Sequence, residues 1–360
     1  MQSVESKTNR TLPFVSIILP VRNETKFIAN SLSAVLNQDY PSDHLEIIVA
    51  DGMSTDGTRE FIESLQEKHP NVRLIDNPGQ IVPTGLNAAM AAATGEIIVR
   101  VDGHCRIAPD YVRNNVQHLL NDGVDGVGGP VMTVGETTLS SAIAEAMSFP
   151  FGVGNSAFRT VTDRTMLTDT VAFPTYTRAI VERAGWFDEE LVRNQDDEYN
   201  YRLRELGAKI LLASDVKSTY YSRSSIRSLW SQYFQYGYWK VRVMQRHPWQ
   251  MRLRHFIPIL FVCWLLISLL ILPLSAWGRL VGSAMLGTYV VADLISSILI
   301  GRRKGWKLFP RLLVVFPTLH LSYGLGFLVG LLKFSNRWRD REGRSAVPDS
   351  PAVHGALEHP

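Results

Sequence analysis

An acid and an imidazole lie two positions apart where an apolar run ends. Asp102 and His104, separated by a glycine, follow Ile97-Ile-Val-Arg-Val101. The run predicts a buried strand of a parallel sheet, and α/β proteins bind ligands at the carboxyl edge of such sheets. A carboxylate oxygen and an imidazole nitrogen on one turn can bind a single divalent cation. We therefore interpret Asp102 and His104 as candidate ligands of a metal that holds a diphosphate; the alternative is two ordinary polar residues of a turn.

A second acidic cluster, Asn194-Gln-Asp-Asp-Glu198, precedes a helical pattern that stops at Gly207. Acids at a helix N-terminus interact favourably with the helix dipole, which alone explains their presence. Beside a metal-diphosphate site, however, one of these carboxylates can serve as the base of a transfer reaction. The residues by themselves leave both interpretations open.

Strand and helix patterns alternate through the first hundred residues and predict a nucleotide-binding α/β half. Apolar runs predict strands at 15–20, 46–50, 72–75 and 97–101, and a small-residue helix at 85–95. Asp51, at the tip of the second strand, is placed to hold a base or a ribose, or else it satisfies the amides of its own loop. No Gly-x-Gly-x-x-Gly follows the first strand and no Gly-Lys-Ser/Thr loop occurs, which disfavours dinucleotide and P-loop sites.

Beyond Asp110 the alternation is less regular. The patterns predict a helix at 111–120, a glycine-laced strand at 124–131, a loop at 149–155, a strand at 171–176 and a helix at 178–184. The net charge of +3 is too small to indicate a nucleic-acid partner. Two cysteines provide no disulfide framework, which fits a catalytic part in a reducing cytosol.

The last third of the chain is markedly apolar. Segments 256–277, 280–300 and 312–332 each approach the ~20 residues that span a hydrocarbon core, and the first has a predicted bend at Pro273. Before them, residues 223–248 alternate aromatic with basic and amide side chains, which predicts a helix in the membrane interface with its cations toward anionic lipid. The alternative is a buried aromatic helix.

Basic residues indicate the orientation of these segments. Arg302-Arg-Lys304 places the second connection in the cytoplasm by the positive-inside rule. Three complete spans would then put Arg337, Arg339 and Arg341 outside, against the same rule. One segment is therefore re-entrant or interfacial, and the sequence does not decide which.

Several motifs in a fixed order resemble those of the family 2 glycosyltransferases, over roughly residues 14 to 215. They are Val15-Ser-Ile-Ile-Leu-Pro-Val-Arg-Asn-Glu24, Val49-Ala-Asp-Gly-Met-Ser-Thr-Asp-Gly57, Val101-Asp-Gly-His104, Gly185-Trp-Phe-Asp-Glu189 and Gln195-Asp-Asp-Glu198. The resemblance implies an α/β GT-A fold with a Rossmann-like nucleotide-binding half and an acceptor half, followed here by transmembrane helices. It further implies a nucleotide-sugar donor, a divalent cation and inversion at the anomeric carbon. Within the family the chain is most similar to succinoglycan-type exopolysaccharide glucosyltransferases.

The same resemblance implies roles for individual residues. Asp196 aligns with the family's catalytic base, and Asp197 is the reserve candidate. Asp102 and His104 hold the cation beside the diphosphate. The nucleotide pocket consists of Pro20, Arg22, Glu24 and Asp51, and Gln235 and Trp239 lie over the entrance for donor or acceptor.

Two positions depart from the family pattern. His104 stands where Asp-x-Asp has its second acid, and because imidazole binds Mn²⁺ well and Mg²⁺ poorly, we expect Mn²⁺ to be favoured. Processive synthases carry Gln-x-x-Arg-Trp, whereas Tyr238 replaces the arginine between Gln235 and Trp239. The loss of that guanidinium weakens a polymerising interpretation.

The sequence thus predicts a flexible start (1–13), a catalytic domain (14–222), an interfacial region (223–254), a transmembrane region (255–334) and a flexible tail (335–360). We expect a multi-pass protein of the plasma membrane with a cytoplasmic catalytic domain. It would transfer glucose from a UDP-sugar to a lipid-linked acceptor in exopolysaccharide or glycolipid synthesis. Alternatives are a polyprenyl-phosphate glycosyltransferase, a processive synthase and a non-catalytic membrane scaffold. The oligomeric state is not predicted.

Overall fold

A computed structural model describes residues 12–271 and 275–340 of the chain. The predicted bend at Pro273 lies outside the described residues. So do Arg341, most of the predicted flexible start and most of the predicted flexible tail.

The strands and helices follow the chain in this order. The strands are β1 (Val15–Val21), β2 (Leu45–Asp51), β3 (Val72–Asp76), β4 (Ile97–Arg100), β5 (Cys105–Ile107), β6 (Gly126–Gly129), β7 (Val131–Val134), β8 (Met166–Leu167), β9 (Ala172–Thr177), β10 (Ile210–Leu212) and β11 (Ser218–Tyr221). The helices are α1 (Ile28–Leu36), α2 (Thr58–Gln66), α3 (Val82–Ala92), α4 (Tyr111–Asn121), α5 (Thr138–Met147), α6 (Pro150–Val153), α7 (Ala157–Thr160), α8 (Arg178–Ala184), α9 (Gln195–Glu205), α10 (Ile226–Arg246), α11 (Leu253–Ile271), α12 (Ala276–Lys304) and α13 (Phe309–Lys333).

The main sheet has the strand order β3-β2-β1-β4-β9-β6-β10-β8. Its first four strands are parallel, and β9 runs antiparallel to both β4 and β6. The chain moves outward from β1 to β3 and then returns to the other side of β1, so the strand order reverses between β1 and β4. In open α/β sheets this reversal opens a crevice at the carboxyl ends of the strands, where ligands bind. A second, smaller sheet has the strand order β5-β11-β7, and its first strand, β5, follows β4 in the chain.

The four predicted strands of the first hundred residues are confirmed as β1 to β4. Three other predictions differ from the structure in the type or the bounds of an element. The strand expected at 124–131 is two strands in different sheets, because Pro130 between them has no N–H for a ladder. The expected loop at 149–155 contains the short helix α6. Helix α3 begins at Val82, before the predicted start, with Pro83 in its first turn, where a missing N–H is tolerated.

Helix α13 is part of the core of the α/β domain, by which we mean residues 12–222. Leu312, Val315 and Phe316 of α13 are completely buried in the same apolar cluster as Ile143 and Met147 of α5. In the most apolar stretch of each helix, 50% of the α13 residues are buried, against 22% for α11 and 28% for α12. Helix α13 therefore packs on protein along much of its length, whereas α11 and α12 leave most of their apolar surface uncovered.

Three helices, α11, α12 and α13, are long and apolar enough to cross a membrane. Their bounds correct the predicted segments, since Trp277 belongs to α12 and not to the helix before it. Large apolar side chains of α11 and α12 are exposed, among them Leu260, Leu270, Leu280 and Val291. Such a surface is too apolar for water, which indicates association with a membrane.

Both ends of α13 lie close to the α/β domain. Lys304, just before α13, pairs with Glu145 of α5 at 3.0 Å. After the other end, Arg337 pairs with Glu190 of the α/β domain. The carbonyl of Phe334 also accepts a 2.8 Å hydrogen bond from Gln245 of α10. Helix α13 therefore lies along the domain and does not lead away from it.

Helix α10 packs against α13 with backbone contact. A Cβ added to Gly237 would collide with the carbonyl oxygen of Tyr323, and one added to Gly326 would collide with that of Phe234. Glycine at these positions allows the two helices to approach more closely than any side chain permits.

The prediction that the cations of α10 face anionic lipid was wrong for Lys240, Arg242 and Arg246. All three side chains are buried and pair with carboxylates of the α/β domain. The reason is that this part of α10 is buried between α13 and the α/β domain. A buried cation requires a carboxylate partner.

Candidate functional site

A cavity of about 830 Å³ opens at the crevice between β1 and β4 and extends to the apolar helices. Seven residues predicted for the site line it: Pro20, Arg22, Glu24, Asp102, His104, Asp196 and Asp197. At its other end the lining comes from α11 and α13, including Ile257, Pro258, Leu319 and Tyr323. One continuous space thus joins the predicted nucleotide pocket to the helices that indicate a membrane.

Arg100 connects the predicted metal ligand to the predicted base. Its side chain is 3% exposed; Nη2 and Nε donate to Oδ1 of Asp102 at 3.0 and 3.2 Å, and Nη1 pairs with Asp196. The last residue of β4 therefore brings the turn after β4 and the first turn of α9 together at one guanidinium. Sequence analysis did not identify Arg100, although an arginine inside an otherwise apolar strand was a visible signal.

His104 is held by Glu24 from the loop after β1. Its Nδ1 lies 2.9 Å from Oε1 of Glu24, and its ring packs edge-on against Tyr220 with centroids 5.4 Å apart. A carboxylate on one ring nitrogen fixes the tautomer and orients the other nitrogen, an arrangement common around metal-binding histidines. Nε2 is then the nitrogen that can bind a cation.

The donor atoms fit a divalent cation that also binds a diphosphate. No group of three or more His, Cys, Asp or Glu side chains arranged for a metal occurs within residues 12–271 and 275–340. Asp102 and His104 would supply one hard oxygen and one softer nitrogen, and phosphate oxygens and water would complete the shell. Metals that work with nucleotides are commonly held in this way, by one or two side chains together with the phosphates.

Asp197 pairs with Lys240 of α10, as its neighbour Asp196 pairs with Arg100. The hydroxyl of Thr170 also donates to Asp197, at 3.1 Å. Burial acts to raise the pKa of Asp197, but the Lys240 ammonium outweighs burial and holds that pKa below its usual range. The Asp196 side chain is 33% exposed, against 24% for Asp197, which favours Asp196 as the carboxylate that can approach a substrate.

Asp51 lies outside the set of residues that line the cavity. Its buried carboxylate accepts a hydrogen bond from the Ser54 amide at 3.1 Å and pairs with Arg59 at 3.3 Å. These contacts match the second of the two interpretations given above, in which Asp51 orders its own loop.

Gln235 and Trp239, which were predicted to lie over the entrance for donor or acceptor, are not among the residues that line the cavity. Trp239 Nε1 donates to Gln235 Oε1 at 3.0 Å, and the indole packs on Phe334 beyond the end of α13. Each residue of a helix is rotated by about 100° from the next, so the neighbouring residues face the cavity instead. They are Gln232, Tyr233, Tyr236 and Lys240.

Basic side chains outnumber acidic ones in the lining. The basic residues are Arg22, Arg100, Arg159, Arg193, Arg223, Lys240 and Arg254; the acidic residues are Glu24, Asp102, Asp196 and Asp197. An excess of arginine in a partly closed cavity favours ligands with phosphate groups, because guanidinium can bind phosphate through two parallel hydrogen bonds.

Comparison with known sequences agrees with this chemistry. Residues 16–185 match Glycosyl transferase family 2. The succinoglycan biosynthesis protein ExoA of Rhizobium meliloti (strain 1021) is 30% identical over 337 residues, covering 89% of this chain and 96% of ExoA. A Methanococcus voltae protein, dolichyl N-acetyl-alpha-D-glucosaminyl phosphate 3-beta-D-2,3-diacetamido-2,3-dideoxy-beta-D-glucuronosyltransferase, is 28% identical, covering 91% of this chain and 99% of the relative.

Among solved structures, the fold is similar to that of the mannosyltransferase PcManGT from Pyrobaculum calidifontis in complex with GDP-Man and Mn²⁺. The TM-score is 0.58 at 22% sequence identity, and the superposition covers 90% of this chain and 88% of PcManGT. At this identity the likeness concerns the fold alone.

The buried Lys240–Asp197 pair should stabilise the protein. Lys240→Met leaves the partly buried carboxylate of Asp197 without its cation, and breaking a fully buried pair typically costs about 3–5 kcal/mol, which sets the upper limit. We expect a clear drop in the thermal unfolding midpoint of the purified protein, and recovery of most of it when Asp197→Asn is added. The matched control is Lys26→Met, which removes the exposed pair with Glu136 and should cost less than about 1 kcal/mol. Equal midpoints for the two lysine variants would contradict a stabilising role.

Proposed function

This chain belongs to glycosyl transferase family 2 and has the GT-A fold, and from that premise we propose its reaction. The protein inverts the anomeric carbon as it transfers a sugar, glucose in our proposal, from a UDP-sugar to a lipid-linked acceptor. The product serves exopolysaccharide or glycolipid synthesis. The observation that carries this proposal is the single cavity that extends from Asp102, His104 and Asp196 to α11 and α13.

The relatives support the two substrate classes. ExoA is named for succinoglycan biosynthesis, and the Methanococcus voltae protein for a dolichyl-phosphate-linked sugar. Both match about nine tenths of this chain. A lipid-linked sugar also explains why the cavity has a polar end for the donor and an apolar end for a lipid.

The donor would bind at the β1–β4 crevice. Pro20, Arg22 and Glu24 line the nucleotide side, and Asp51 keeps the adjoining loop in position. Asp102 and His104 would hold Mn²⁺ in preference to Mg²⁺. When bound, a divalent cation neutralises the charge that develops on the leaving diphosphate.

Asp196 is the proposed base. The acceptor hydroxyl attacks the anomeric carbon from the face opposite the diphosphate, and its proton passes to a carboxylate oxygen of Asp196 as the new bond forms. Arg100, which contacts both Asp196 and Asp102, would keep the base at a fixed position relative to the diphosphate.

In the membrane, we propose that α11 and α12 form a hairpin that crosses and returns, while α13 lies in the interface. The support is that both ends of α13 contact the α/β domain or α10. This arrangement leaves Arg302, Arg303, Arg337 and Arg339 on one side, in agreement with the positive-inside rule, and puts the catalytic domain in the cytosol.

Cysteine labelling tests the hairpin. In a Cys263→Ser background, we expect Ala276→Cys, at the start of α12, to react with a membrane-impermeant maleimide that is applied to the extracytoplasmic face of sealed vesicles. Ser335→Cys, just after α13, should react only from the cytosolic face, because the hairpin returns before α13 begins. Equal reaction of the two positions from one face would contradict the hairpin, as would extraction of the protein by alkaline carbonate.

The cation preference depends on the nitrogen of His104. We expect UDP to bind more tightly with Mn²⁺ than with Mg²⁺, since imidazole is a better ligand for Mn²⁺, and we expect His104→Asp to reduce the difference between the metals. Calorimetry with UDP and each cation measures both effects. Equal affinities with the two metals in the unmodified protein would remove the role assigned to His104.

Asp196→Asn tests the base separately from binding. A hydroxyl has a pKa far above 7, and a positioned carboxylate typically contributes about 10²–10⁴-fold to removal of its proton. Asparagine keeps the size of the side chain but has no basic oxygen. We expect turnover to fall by about that factor while the affinity for UDP, measured by calorimetry, changes by no more than a few-fold.

Two results would contradict this assignment. Unchanged turnover would favour a lipid phosphate as the acceptor, since a phosphate needs no general base. Loss of both turnover and UDP binding would mean that Asp196 is structural.

A further inference from the structure

Some of the cations that line the cavity already form ion pairs with carboxylates of the chain. Arg100 pairs with Asp102 and Asp196, and Lys240 pairs with Asp197. Arg254 pairs with Asp169 at 2.5 Å. Four other arginines of the lining have no carboxylate partner among the described residues: Arg22, Arg159, Arg193 and Arg223. The cavity therefore has a local excess of positive charge that the chain itself does not neutralise.

Two of these arginines, Arg159 on α7 and Arg223 after β11, lie at the small sheet. Helix α7 packs against β7, and β7 pairs with β11 so that Thr133 lies opposite Tyr220. Arg223 Nε donates to Oε1 of Gln232 at 3.3 Å, and Nε2 of Gln232 donates to the Tyr220 hydroxyl at 3.2 Å. Both cations therefore lie on the side of the cavity to which the small sheet contributes Val131 and Tyr220. We call Arg159 and Arg223 the cation pair.

The cation pair is poorly satisfied within the chain. Nη1 of Arg159 is buried and has no hydrogen-bond partner among the described residues. A buried donor without an acceptor costs about 1–3 kcal/mol, and more when it is charged. Two uncompensated cations in the wall of one cavity also repel each other. An oxyanion between them would remove both costs.

The position of the cation pair separates it from the nucleotide pocket. Arg22 donates to the Gln80 carbonyl at 3.2 Å, beside Pro20. The cation pair instead lies at the small sheet, and Arg223 contacts Gln232 in the cavity wall formed by α10. From there the lining continues to Ile257 of α11 and Tyr323 of α13.

We propose that Arg159 and Arg223 bind the phosphate groups of the lipid-linked acceptor. The headgroup would lie between the guanidiniums, the lipid chain would follow α11 and α13, and the sugar would extend toward Asp196. This inference rests on the proposed function, because it describes the acceptor end of the same cavity. The other source of the same chemistry is the diphosphate of the donor, and the experiment separates the two.

The test measures two ligands on the full chain in detergent. Farnesyl diphosphate represents a lipid diphosphate, and UDP with Mn²⁺ represents the donor. We expect Arg159→Gln and Arg223→Gln each to lower the affinity for farnesyl diphosphate roughly ten- to a hundredfold, as for the loss of hydrogen bonds to a charged group. The affinity for UDP should change by no more than a few-fold. Arg22→Gln should show the reverse pattern.

Controls address charge and folding. Arg227→Gln removes a cation from an exposed position of α10 and should change neither affinity. Arg159→Lys keeps the charge but not the paired hydrogen bonds, so it should retain part of the farnesyl diphosphate affinity even if the glutamine variant does not fold. Inorganic diphosphate should compete with farnesyl diphosphate in the unmodified protein.

Three results would overturn the inference. They are no binding of farnesyl diphosphate by the unmodified protein, unchanged binding in both arginine variants, or a loss of UDP affinity in place of farnesyl diphosphate affinity, which would assign the cation pair to the donor. The proposed function fails differently, through absence of UDP binding or of sugar transfer in the unmodified protein.

Discussion

Buried charge on α10 is the constraint on which the rest of this structure depends. Lys240, Arg242 and Arg246 are buried between the α/β domain and α13, and a buried cation without a partner costs several kcal/mol. Their partners, Asp197, Glu190 and Asp188, all belong to the segment that leads into α9 or to its first turn. The position of α10 therefore fixes the start of α9, and Asp196 with it.

The same carboxylates and cations also determine the electrostatic character of the cavity. Near the proposed reaction centre Asp102 and Asp196 share one cation, Arg100, and Asp197 pairs with Lys240, so the acids there are not in deficit, whereas the arginines farther along the wall are not compensated. Positive charge thus lies where phosphate groups are to be bound and not at the carboxylate that is to take a proton. One cavity can then accommodate two anionic substrates and a basic group.

The sequence predicted what depends on local pattern. Runs of apolar residues predicted β1 to β4, and polar residues after them predicted that Asp102 and His104 would line a cavity together with Asp196. The partners in long-range ion pairs were not predictable: an arginine in an apolar strand marks Arg100 as unusual, but nothing local indicates that Arg100 and Lys240 pair with residues about a hundred and about forty positions away. The face that α10 turns to the cavity depends on its contact with α13, which is why Tyr236 lies there and not Gln235. The split of residues 124–131 into two sheets likewise depends on tertiary context.

The contact of Gly237 with α13 has a consequence for how the protein is made. Synthesis proceeds from the amino terminus, so the α/β domain leaves the ribosome well before α13 exists. Until α13 arrives, α10 has no partner for its glycine face, and the wall formed by Leu319 and Tyr323 is missing from the cavity. Helix α13, the last helix among the described residues, completes the cavity, so a chain whose synthesis stops before α13 has the proposed reactive side chains but no closed space in which to use them.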